Sequence, residues 1–267
     1  MRKIEINECH KLLLNIAKEF DRICTKHNIP YYMLGGTMLG AVRHKGFIPW
    51  DDDMDFGIPR EFYNQFKEIC KTELNTRYKF INEDNSEYAI LGIGKIIDTN
   101  TLMQEIYSID CDEKIGINID IFPLDYTNSS KGIFSLNKRM RMLFKLQKLL
   151  FVNSDNRKGI MKWIAKFARI ILPLNKKTLI SYINKKFLIR NKSKRNKYIF
   201  NVAGAWGTKE LIPKAIFGEP TKYRFEDIEL YGVEDYDKYL RSLYSDYNQL
   251  PPENKRHIHF DNAFIME

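Results

Sequence analysis

Cysteine is scarce and unpatterned in this 267-residue chain. Its four cysteines, Cys9, Cys24, Cys70 and Cys111, form no CxxC pair and have no histidine at zinc-ligand spacing. In a chain this long they read as reduced thiols, which argues against a disulfide framework and predicts a cytoplasmic protein. Long apolar runs are missing as well. No stretch reaches 18 consecutive apolar residues, so no membrane-spanning helix is expected. The opening Met1-Arg2-Lys3-Ile4-Glu5 has neither an apolar run nor a small-residue cleavage site, and no secretory signal is read there. With only 14 Gly and 9 Pro, collagenous and low-complexity classes are excluded. What the chain does have is 44% hydrophobic residues, including 15 Tyr and 17 Phe, enough for the core of one large domain or two small ones.

Acids are nearly absent from one region. Residues 131–197 hold 20 Lys+Arg against a single acid, Asp155, a balance of +19, while the rest of the chain is at −10. One reading is a surface that meets a polyanion or an anionic membrane; the other is a set of helices with solvated lysine faces. Within it, Lys158–Leu172 sets cations at 158, 162, 166 and 169 on one helical face and Ile160, Trp163, Ile164, Phe167, Ile171 and Leu172 around most of the rest. That pattern fits a helix lying in a membrane interface, and equally an ordinary packed helix with a lysine face.

Periodicity divides the remainder. Apolar residues at three- and four-residue spacing predict a helix over 5–26, ended by Asn28 and Pro30. Tyr31–Leu34 reads as a buried strand running into a tight turn at Gly35-Gly36, and Thr37 as the cap of a short helix to about Arg43. A strand over 53–58, a helix over 60–74, and strands at 78–81, 89–97, 102–107 and 115–122 follow. Helical stretches are expected near 134–151, 158–172 and 176–190; the segment from Tyr198 carries no clear period. The order predicts an α+β fold, with a mixed sheet flanked by helices and a basic helical insertion. The expected divisions are a catalytic core at 1–130, the basic segment at 131–197, and a C-terminal region at 198–267 folding back on the core.

The chemistry concentrates in 34–55. Two glycines after a buried strand let backbone approach a ligand closely, and the helix that follows offers its N-terminus to an anion. Some fifteen residues later Asp51, Asp52, Asp53 and Asp55 fall within five positions, a density of negative charge that calls for a cation. Asp53 and Asp55, two apart on a strand, share a face; Asp51 has the same parity nearer the loop. Oxygen-only ligation favours Mg²⁺ or Mn²⁺. Ile117, Ile119 and Ile121 would face a core, leaving Asn118 and Asp120 on the opposite side, where Asp120 is the third candidate ligand.

These residues resemble a known family. Residues 36–57, GTMLGAVRHKGFIPWDDDMDFG, are similar to the signature of the LicD/fukutin-type phosphotransferases of the nucleotidyltransferase-fold superfamily. The strand Ile119–Asp125 resembles the family's second block, and Leu250-Pro251-Pro252-Glu253-Asn254-Lys255-Arg256-His257 its C-terminal segment. The resemblance implies a nucleotidyltransferase-like fold. It also implies transfer of a phosphorylated alcohol, often phosphocholine, from a CDP-linked donor to a sugar hydroxyl of teichoic acid, lipopolysaccharide or capsule.

On that basis Asp53, Asp55 and Asp120 are the candidate catalytic and metal-binding residues, with Asp51 a further ligand. Gly35, Gly36 and Thr37 would cradle phosphate. Arg43, His44 and Lys45 would add positive charge, or offset the aspartates, or in the case of His44 simply hydrogen-bond. Trp50 is a stack for cytosine or a core side chain. His257 and His259 either fold back on the site or sit in a surface loop. A glycan or lipid-linked glycan acceptor is expected, with the enzyme cytoplasmic or peripheral at the inner membrane face. Two other readings stand beside this one: a true nucleotidyltransferase acting on a small sugar or antibiotic, and a non-catalytic nucleic-acid-binding protein. The last has no use for the three aspartates and no recognisable DNA- or RNA-binding motif.

Overall fold

A computed structural model describes residues 1–86, 88–89, 93–105, 113–128, 142, 145–146, 149, 159–171, 197–253, 256 and 260–266. The amphipathic period produces helix α1, Ile6–Lys26, which buries Cys9, Leu12, Leu13, Ile16, Ala17, Phe20, Ile23 and Cys24. It stops where Asn28 takes a left-handed φ of 53°, a conformation Asn tolerates at helix ends. Strand β2 (Tyr32–Met33) leads into α2 (Gly35–Arg43), then β3 (Asp55–Pro59), α3 (Arg60–Glu73), β4 (Tyr78–Ile81), β5 (Gly94–Asp98), β6 (Thr101–Glu105) and β7 (Asn118–Thr127). The main sheet runs β2-β3-β7-β5-β4. Only β3 and β7 within this row pair in parallel; the other pairs are antiparallel, so the sheet is mixed.

The far half of β7 pairs with β8 (Tyr198–Phe200), which pairs in turn with β9 (Leu211–Pro213). A second sheet places β12 (Phe260–Ile265) between β1 (Arg2–Lys3) and β6. Strands β10 (Thr221–Phe225) and β11 (Ile228–Gly232) form a hairpin. The other helices are α4 (Ile160–Ile171), a single turn α5 (Lys214–Phe217) and α6 (Tyr236–Tyr244), which packs on α2.

Phe20 of α1 organises the core. Its ring lies 4.8 Å from those of Tyr31 and Phe56 and 5.5 Å from Phe66, and Phe66 in turn meets Phe80 at 5.2 Å. Helices α1 and α3 thereby meet each other over the sheet, between Phe56 of β3 and Phe80 of β4. At the start of α3, Arg60 donates two hydrogen bonds to Asp125 at 2.9 and 2.8 Å, both side chains buried. The bidentate pair clamps α3 to β7 just where β7 passes from one neighbour to the next.

Three expectations shift. The strand expected over 53–58 begins at Asp55, and that expected over 89–97 is confined to Gly94–Asp98 among the described residues. The one at 115–122 extends to Thr127, because β8 supplies its second half with a partner. The stretches near 134–151 and 176–190 lie mostly or wholly outside the described residues, as do positions 106–107.

Candidate active site

The site is built where β2 turns into α2. Gly35 adopts φ +48°, which a side chain would strain, and its N–H donates to the Tyr239 hydroxyl of α6 at 3.1 Å. A Cβ at Gly35 would lie 3.6 Å from both Asp55 Oδ2 and Tyr244 Oη, so these two groups flank the first residue of the helix. Thr37 does not cap α2, which starts two residues earlier. Its hydroxyl instead accepts the Asp55 N–H at 2.8 Å, tying the head of β3 to the helix.

Parallel pairing then sets Asp55 directly beside Asp120 in register. Adjacent strands lie about 4.8 Å apart, so the two carboxylates come from neighbouring positions at one end of the parallel pair. The Asp120 N–H bonds the Met54 carbonyl at 2.9 Å, which carries the ladder one residue ahead of β3. Lys95, across the antiparallel side of β7, donates to Asp120 Oδ1 at 2.6 Å and to Asn118 Oδ1 at 3.1 Å. Asp53 lies just before the strand; Asp51, Asp53 and Asp55 are half-buried while Asp52 and Met54 between them are buried, and all three charges reach Tyr244.

The chain between α2 and Asp51 takes its course for a packing reason. It turns at Lys45 (φ +60°) and runs back along α2. A Cβ at Gly40 would meet the Gly46 carbonyl at 2.5 Å, and one at Gly36 the Asp51 carboxylate at 2.7 Å. Gly36 and Gly40, four apart on one helix face, thus leave a bare strip for the returning loop. His10 fixes the loop by bonding the Asp51 carbonyl at 2.7 Å through Nε2, which must carry the hydrogen, while its ring stacks on Phe47 at 4.2 Å. Asp52 is buried. Burial, with the nearby Asp52 and Asp53 charges, pushes the Cys9 thiol up to about 12, so it is inert as a nucleophile at neutral pH.

From the other side, α6 supplies Tyr239 and Tyr244. Burial and then the Asp55, Asp51 and Asp53 carboxylates raise the Tyr244 hydroxyl well above its ordinary range, keeping it a neutral donor beside the acids. Behind the tyrosines stands Glu210, buried and accepting the Trp206 N–H at 2.8 Å; burial pushes its carboxyl up to about 7. Trp206 meets Tyr244 edge-on at 4.9 Å.

The basic trio takes other partners. Arg43 donates to the Tyr247 carbonyl at 2.6 Å and approaches His44 Nδ1 at 3.4 Å. Burial and the Arg43 charge lower the His44 pKa. Lys45 is exposed at the loop turn. All three stand at the C-terminal end of α2, about 12 Å along the axis from Gly35. Trp50 is half-buried, and Arg256 lies over its ring at 4.2 Å, a cation–π contact that brings the C-terminal segment to the acidic loop. His257 and His259 lie outside the described residues. Lys95, Tyr239, Tyr244 and Glu210 were not singled out from the sequence.

Among the described residues, no group of three or more His, Cys, Asp or Glu is arranged to hold a metal ion. Asp55 and Asp120 nonetheless suit a Mg²⁺-like cation, which typically takes one or two carboxylates and completes its shell with water and substrate phosphate.

Residues 28–155 match the LicD/FKTN/FKRP nucleotidyltransferase domain. Over its full length the chain is 28% identical to the lipopolysaccharide cholinephosphotransferase LicD of Haemophilus influenzae, covering 100% of both proteins. An uncharacterized protein of Rickettsia typhi is 33% identical over 127 residues, 47% of this chain and 38% of its own. A 50-residue stretch is 38% identical to ribitol 5-phosphate transferase FKRP of Mus musculus, 19% of this chain and 10% of that one. Through the domain match at 28–155 and a full-length likeness to a cholinephosphotransferase, the chain is similar to the LicD/FKTN/FKRP family.

Proposed function

We propose that this phosphotransferase moves a phosphorylated alcohol, phosphocholine or a close analogue, from a CDP-linked donor to a hydroxyl of a cell-surface glycan precursor. The relatives' activities, cholinephosphotransfer and ribitol 5-phosphate transfer, support a substituted phosphate as the group moved. The observation that carries the mechanism is the side-by-side placement of Asp55 and Asp120 at the mouth of α2.

Asp55 and Asp120 would hold Mg²⁺ or Mn²⁺, with Asp51 or Asp53 reaching it through the loop. The ion would offset charge on the diphosphate and on the departing CMP. The N-terminal turn of α2 turns its dipole toward the same diphosphate. In the reaction, the acceptor oxygen forms a bond to the phosphorus carrying the alcohol. The bond from that phosphorus to the CMP oxygen breaks, and the acceptor proton passes to Asp120. Lys95 holds Asp120 in line, and Tyr244 donates toward the phosphate oxygens.

The test is product analysis with CDP-choline and CDP-ribitol, a glycan acceptor, and Mg²⁺ or Mn²⁺. CMP release with the labelled head group on the glycan is expected. Asp55→Asn and Asp120→Asn should each lower turnover at least about a hundredfold with the fold retained by circular dichroism. Pyrophosphate release from CTP would establish the nucleotidyltransferase reading instead. Normal turnover by either variant would remove the two carboxylates from the mechanism.

A further inference from the structure

Helix α4 is inside out. Ile160, Ile164, Phe167 and Ile171 recur at i, i+4, i+7 and i+11, with Trp163 and Ile170 alongside, the stripe a packed helix turns to its core. Here Ile160 is 74%, Trp163 70%, Phe167 65% and Ile170 76% exposed, while Ala165 is fully buried. At 100° per residue, Ala165 lies about 160° around the helix from Trp163. The helix therefore rests on its small side and presents its large apolar side chains outward.

We infer that α4 docks the enzyme on an anionic lipid bilayer. Charge selects this occupant. Residues 156–197 contain no Asp or Glu, and α4 itself carries Lys162, Lys166 and Arg169. A second copy of the chain would set this strongly cationic region against itself, whereas an anionic leaflet complements it. Length agrees: twelve residues span about 18 Å, short of a roughly 30 Å hydrocarbon core, so the helix lies along the surface. No helix among the described residues is long and apolar enough to cross a membrane. A Trp–Phe–Ile face flanked by lysines is the composition of an interfacial helix. This inference goes beyond the reaction proposed above and is read without turnover, so either can fail alone.

The test is flotation of the full chain with vesicles of phosphatidylcholine alone and of phosphatidylcholine with phosphatidylglycerol. Binding should require the anionic lipid and weaken as salt rises. The Trp163→Ala/Phe167→Ala variant, changed only at exposed positions, should bind at least about tenfold more weakly and melt normally. Lys162→Glu/Lys166→Glu should weaken binding to anionic vesicles, most strongly at low salt. Absence of binding to anionic vesicles at low salt would overturn the proposal. So would binding that the Trp163/Phe167 variant leaves intact, which places the contact elsewhere. Self-association by sedimentation velocity, abolished by the same variant and unaccompanied by vesicle binding, would assign the face to a second copy.

Discussion

Lys95 and Glu210 are single side chains whose surroundings give them unusual work. Lys95 shares one carboxylate oxygen of Asp120 at 2.6 Å, so a divalent ion arriving there meets a resident positive charge. Lys95→Met should therefore bind Mn²⁺ roughly fivefold more tightly, a pair contribution of about 1 kcal/mol, yet turn over more slowly because Asp120 loses its tether. Electron paramagnetic resonance of free Mn²⁺ alongside kinetics separates the two effects; unchanged Mn²⁺ affinity would mean the ion is held without Asp120. Glu210 is a buried carboxyl whose pKa is raised from 4.5 to about 7. A raised acid stabilises the fold fully below its unfolded pKa, and that stability is lost as pH climbs through the folded value. Thermal melts of Glu210→Gln should match the wild type below about pH 4.5 and gain on it toward pH 8, by roughly 3 kcal/mol. A constant gap across that range would place the proton elsewhere.

At the level of elements, α2 and its return loop form one unit. Gly40 faces backbone, the Gly46 carbonyl, which cannot retreat without moving the loop; Gly36 faces the end of a side chain, Asp51. Gly40→Ala should thus destabilise by about 1–2 kcal/mol, overpacking outweighing the gain in helix propensity. Gly36→Ala should melt almost normally but turn over slowly, since Asp51 swings aside. Equal melting temperatures for the two would show that the loop is slack. Much of this architecture was readable in advance. The period of α1, the limits of β4, the strand–Gly-Gly–helix turn and the isoleucine face around Asp120 are all local patterns. The unreadable parts depend on remote partners. Thr37 looked like a cap because its true partner, the Asp55 N–H, lies eighteen residues on. Gly35 is satisfied by Tyr239, 204 residues away, from a helix set among short strands of mixed polarity with no clear period. Lys95 resembled any surface lysine on a strand, because only register with β7 brings it to Asp120.

Across the whole molecule, one buried cluster joins side chains from Ile4 to Ala263, including Phe225 and Leu230 of the hairpin and Leu240 and Leu243 of α6. The C-terminal third therefore shares the core that carries the acidic loop. The hairpin tip shows what this permits. Glu226 accepts the Phe47 N–H at 3.0 Å through its carboxylate and returns its own N–H to the Lys45 carbonyl at 2.7 Å. Four residues beyond Phe47, the same loop delivers Asp51 to Gly36. A cation and donor held in part through Asp51, as proposed above, would steady this loop, and two distant amides would then gauge occupancy. Hydrogen–deuterium exchange at Phe47 and Glu226 should slow when CDP-choline and Mg²⁺ are added together. Glu226→Ala should erase the response at Phe47, and with it a way to see ligand arrive without watching the reaction at all.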